Sequence, residues 1–70
     1  MTMAANFSLD EQLECIKREI GMRERVYPRW VQSAKMSQAK ADREIACMRS
    51  VWITLDRLRI AKANETAISR

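Results

Sequence analysis

Seventy residues hold one domain only, and a chain of this size buries roughly 60% of its unfolded surface at best, so its core needs reinforcement. Two cysteines and no histidine argue against a disulfide scaffold and a zinc site, which leaves self-association. The excess of 13 Lys and Arg over 9 Asp and Glu, a net +4 with a pI near 9.6, favours acidic protein surfaces or nucleic acid as partners but excludes little else.

One glycine and one proline among abundant Ala, Leu, Met, Glu, Lys and Arg is a helix-forming composition. No apolar run approaches the roughly 18 residues of a membrane span, so no membrane role is expected. No charged segment followed by an apolar stretch opens the chain; a secretory leader is not expected, and a reducing cytoplasm is the default compartment.

Residues 1–7 show no periodicity and are expected to form a disordered tail. Ser8 then stands three residues before Glu11, the spacing of a capping box, and Asp10 suits the positive end of the helix that would start there. Leu9, Leu13, Ile16, Ile20, Tyr27 and Trp30 recur at spacings of three, four or seven, the apolar face of a helix. Asp10, Glu14, Lys17, Arg18, Glu24 and Arg25 form the opposite, solvated face, with Glu14 and Arg18 at ion-pairing distance along the helix. Pro28 removes a backbone donor. Because Trp30 and Val31 keep to the apolar face beyond it, a kinked helix over 9–32 is favoured over a clean break after Val26.

Residues 33–37 form the expected turn, with Ser37 able to cap a second helix over 38–62. That helix carries Ala41, Ile45, Met48, Trp52 and Leu55 at spacings of four and three, with Val51 and Leu58 widening the stripe. Arg59 and Lys62 suit its negative end, and the polar segment 63–70 is expected to fray. So short a connection requires antiparallel helices, in a register that brings Leu13 near Leu55 and Tyr27 near Ala41.

A second apolar line, Ala46, Ile53 and Ile60, runs along the second helix, and Cys15, Met22 and Val26 lie off the main stripe of the first. Helices apolar over so wide an arc usually touch two neighbours. These six residues are therefore the candidate oligomer or partner interface. The expected fold is all-α: an antiparallel two-helix hairpin, kinked at Pro28, associating into a four-helix-bundle homodimer.

Catalysis is poorly supported and no cofactor or metal is implied. Without histidine, acid–base work would fall to carboxylates, lysine, tyrosine or cysteine, and none stands beside a recognisable activating group. Cys15 and Cys47 lie at different heights of an antiparallel hairpin and read as small buried hydrophobes rather than a disulfide pair. Arg25, Tyr27, Arg29, Trp30 and Lys35 form a candidate contact patch, suited to stacking on a base or anchoring a partner. The competing reading has Tyr27 and Trp30 plugging the end of the core, and their spacing favours it. Arg43, Arg49, Arg57 and Arg59 are spread around the second helix, unlike a groove-reading basic face.

The run Glu19-Ile20-Gly21-Met22-Arg23-Glu24-Arg25-Val26-Tyr27-Pro28-Arg29-Trp30-Val31, followed by Lys35-Met36, Ala41, Glu44-Ile45-Ala46 and Met48, resembles a group of small helical proteins encoded in phages and prophages of proteobacteria. The resemblance covers roughly Leu13 to Leu55. Relatives of this kind would carry a glycine in the turn, where this chain has Ala34. It implies a bacterial host cell and a small protein that binds and modulates a host protein; it carries over no activity and no binding residue. A non-enzymatic protein-binding module is thus the leading expectation. A basic nucleic-acid-binding regulator is the alternative, and a small-ligand sponge the weaker one, since no glycine loop that could cradle phosphate is present.

Overall fold

The computed structural model describes residues 6–68, with side chains through Glu65. Two helices, α1 (Leu9–Gln32) and α2 (Gln38–Ile68), pack against each other as a hairpin, with no strand among the described residues. No helix among them is long and apolar enough to cross a membrane. Most of the N-terminal tail, residues 1–5, lies outside the described residues.

The start of α1 is set by side-chain chemistry. The Ser8 amide donates to Glu11 Oε1 at 2.9 Å and the Glu11 amide donates to Ser8 Oγ at 3.1 Å, which satisfies two amides that the helix itself leaves open. Gln12 Nε2 adds a bond to the Phe7 carbonyl at 2.9 Å. Further along, α1 runs through Pro28 to Gln32, so the alternative of a break after Val26 does not hold. Proline takes the helical donor away from the Glu24 carbonyl, but one lost bond does not stop a helix whose next turn still packs.

The turn closes by a Schellman arrangement. The Lys35 amide donates to the Trp30 carbonyl at 2.8 Å and the Ala34 amide to the Val31 carbonyl at 3.1 Å, with Ala34 at a φ of 65°. That left-handed conformation costs a residue with a Cβ about 1–2 kcal/mol, which is why glycine usually occupies it. Ala34→Gly should therefore stabilise the hairpin by about 0.5–1 kcal/mol, after allowance for the freer unfolded chain. Thermal melts by circular dichroism would show this as a rise of several degrees. Ser37 then caps α2, its Oγ accepting from the Lys40 amide at 3.1 Å.

α2 continues to Ile68, six residues past the expected end and through most of the segment expected to fray. Ala61, Lys62, Ala63 and Glu65 are strong helix formers, and intrinsic propensity extends the helix where no apolar face does. With the end moved, Arg59 no longer serves the last turn. It holds Asp56 on its own helix at 2.6 Å and lies 3.8 Å from Asp10 on α1.

The seam between the helices follows a seven-residue repeat. Leu9, Leu13, Ile16, Ile20, Arg23 and Tyr27 on α1 face Ala41, Ile45, Met48, Trp52, Leu55 and Arg59 on α2, each series alternating steps of four and three. The Asp10–Arg59 and Arg23–Glu44 pairs set an antiparallel register, and that register puts Leu13 opposite Leu55 and Tyr27 opposite Ala41. Little of this seam is dry. Leu13, 7% exposed, and Ala41, 2% exposed, are the buried residues among those described, and other seam residues such as Ile20 and Trp52 are only half-buried. Two rods in contact along one line cannot cover each other's sides.

Candidate functional site

The hairpin has two flanks, and they differ chemically. Along one, Glu24 pairs with Arg49, and Asp10, Arg59 and Asp56 form a second charged cluster. A groove of about 430 Å³ lined by Lys17, Ile20, Gly21, Glu24, Arg49 and Trp52 runs between them. The hydrogen bond to Asp56 holds the Arg59 guanidinium above its ordinary pKa, with the nearby Asp56 and Asp10 charges adding to it.

The other flank is apolar. A groove of about 510 Å³ brings Phe7, Cys15 and Ile16 together with Leu55, and its polar lining comes from Glu11, Gln12, Glu14 and Arg18. Val51 and Leu58, one step beyond the seam on α2, lie beside Leu55 on this flank, and both are exposed. Val26 continues the same strip along α1, and Met22 lies at its outer edge, in a hollow shared with Cys15, Arg18 and Arg25. The ionisable groups that cross it are paired in place, with one negative charge left over: Arg23 Nε donates to Glu19 Oε2 at 2.8 Å, and Arg23 Nη1 lies 3.4 Å from Glu44 Oε1. The Glu19 hydrogen bond raises the Arg23 pKa against the opposing effect of burial, and the proximity of Tyr27, Glu19 and Glu44 adds to it. The guanidinium also lies 5.8 Å over the Tyr27 ring.

The six candidate interface residues therefore do not form one surface. Cys15, Met22 and Val26 lie on the apolar flank. Ile53 and Ile60 fall at the outer edge of the charged flank, four residues after Arg49 and Asp56 on its lining, and Ala46 lies on the same line, seven residues before Ile53. Val51 and Leu58, assigned to the hairpin's own core from the sequence, join the first group instead. Arg23 was missed altogether, yet its place three residues after Ile20 and four before Tyr27 marks a seam position in the sequence itself.

Both cysteines are free and exposed rather than buried, because each sits two steps outside the seam. Arg18 turns to Cys15, its Nη2 3.3 Å from Sγ, and makes no ion pair with Glu14. In the contact patch, Tyr27 is half-buried and its ring stacks on Trp30 with centroids 5.6 Å apart and planes 28° from parallel. Trp30 is 42% exposed, so it does not plug the core: across from it α2 is only beginning, with Gln38 and Ala39 in its first turn. Arg25, Arg29 and Lys35 are exposed.

Gly21 has open space where a Cβ would project, the nearest atom being Arg25 Nη1 at 3.8 Å. Gly21→Ala should raise stability by about 0.5–1 kcal/mol through helix propensity alone. Urea titration would read the gain as a higher midpoint at unchanged slope. No family model matches the chain, and neither the curated proteins nor the solved structures hold a significant match to it.

Proposed function

We propose that this chain is a non-catalytic protein-binding module that works as a homodimer, the apolar flanks of two hairpins closing on each other as a four-helix bundle. The uncovered apolar flank carries this reading. Phe7, Met22, Val51 and Leu58 are exposed there while the hairpin buries only Leu13 and Ala41 among its described residues.

A second copy fits this flank better than an acidic protein or nucleic acid would. Its charges Glu19, Arg23 and Glu44 are paired with one another and leave a net −1, which does not attract an anionic partner, so the flank offers mainly grease and shape. Charge also sets the direction. The whole net +4 sits between Arg25 and Arg43, around the turn, and side-by-side turns would bring two such ends within a Debye length of about 8–10 Å. The hairpins of the dimer then lie head to tail, with their turns at opposite ends.

The dimer would in turn present its outer surfaces to a host protein, the role implied by the likeness to phage-encoded helical proteins. Melting temperature measured over a wide range of protein concentration tests the self-association. A dimer whose folding is coupled to assembly melts higher as concentration rises, and a melting temperature independent of concentration would refute the proposal.

A further inference from the structure

The turn end of the hairpin carries a second surface, independent of the apolar flank. Between residues 25 and 43 stand Arg25, Arg29, Lys35, Lys40 and Arg43 against Asp42 alone, so this one end holds the entire net charge of the chain. None of the five is in an ion pair among the described residues. The nearest other acids, Glu24 and Glu44, are held by Arg49 and Arg23, and Asp42 accepts from Gln38 Nε2 at 2.9 Å. Helix stability explains only part of this. Arg29 suits the negative end of α1, but Lys40 lies in the first turn of α2, where the helix dipole disfavours a cation. A cation that works against its own helix, beside four more without an ion-pair partner, points to an anionic partner for the cluster.

The aromatic pair narrows the chemistry. Trp30 rests on Tyr27 in a near-parallel stack and is 42% exposed, so part of its surface stays open for another flat group. An acidic peptide would satisfy the cations without using that surface. A nucleobase would use it, with its flanking phosphates reaching the cations. The end of a two-helix hairpin is too blunt to present a helix along a duplex groove, which favours a single strand over a double helix. We propose that the turn end binds single-stranded nucleic acid, a base extending the Tyr27–Trp30 stack and phosphates meeting Arg25, Arg29, Lys35, Lys40 and Arg43.

The test is fluorescence anisotropy of a labelled oligothymidylate titrated with the full-length protein over a salt series. Binding should be present at low salt, and the log of its constant should fall with log salt at a slope no steeper than about −3.5 per hairpin, from five contacts at ~0.7 each. Trp30→Ala should weaken binding at least fivefold and Trp30→Phe much less, while Arg29→Glu with Lys35→Glu should abolish it. Arg57→Glu, an exposed change far from the turn, should alter it little. Light scattering on each variant without oligonucleotide separates this surface from the apolar flank, because the molar mass of the free protein should be the same in every variant. No binding at low salt, or a charge-reversed variant that binds as well as the original chain, would overturn the proposal. Equal binding of poly-glutamate with no effect of Trp30→Ala would overturn it in favour of an acidic protein partner, and preferential binding to phosphatidylserine vesicles in favour of a membrane surface.

Discussion

Val51→Glu combined with Leu58→Glu should raise the dimer dissociation constant by at least ~100-fold, an effect of roughly 2.7 kcal/mol. Only the still-exposed parts of these side chains, 38% and 49%, are available for the interface to cover. A fully buried Val or Leu contributes about 1.5–3 kcal/mol, so these portions give about 0.6–1.5 kcal/mol each, and a symmetric dimer counts every one twice. Glutamates placed there add the cost of charge without a partner. Sedimentation equilibrium should find the double variant monomeric at concentrations where the original chain is dimeric, with much of its helical signal lost. The matched pair Ile53→Glu and Ile60→Glu should leave the dimer intact. Both residues are as exposed as Val51 and Leu58, but they project from the outer edge of the charged flank. A reversed outcome would move the interface to that edge.

Leu13→Ala should be the most damaging single truncation. Leu13 is the one large side chain buried among the described residues, packed in the seam opposite Leu55. Removing a buried leucine side chain costs 2–5 kcal/mol, and the lower half of that range applies because the thin seam can relax and admit water. About 2–3 kcal/mol is still most of what a core this small supplies. Urea unfolding at fixed protein concentration should show the midpoint falling sharply or the cooperative transition disappearing. Leu58→Ala should be milder within the hairpin and show mainly as weaker association, which separates the seam from the flank.

Helix ends set by local chemistry could be read from the sequence. Ser8 with Glu11 places the start of α1, Ser37 the start of α2, and the spacings of three and four fall on the seam in the expected register. The end of α2 could not be read the same way, because Ala61 to Ile68 extends on propensity alone where periodicity had lapsed. Cys15 and Cys47 looked buried by residue type, but burial depends on the angle to the partner helix, and both stand outside the seam. The six candidate interface residues divide between the flanks for the same reason. The sequence shows that Met22 and Ile53 lie off the main stripe of their helices, yet not that the antiparallel register sends them to opposite flanks. Glu24 pairing with Arg49 settles which flank is charged, and that contact exists only once two helices are laid together. Ala34 was marked by the absence of the glycine expected in the turn, and its φ of 65° shows what that glycine would have done.

The idea that one hairpin is half of a working unit is tested most directly by the molar mass of the unmodified chain, measured by light scattering across a dilution series. About 16 kDa, twice the 8.2 kDa of one chain, is expected at the higher concentrations, with dissociation and loss of helicity together on dilution. A steady 8.2 kDa with full helicity and a cooperative melt at every concentration would contradict it.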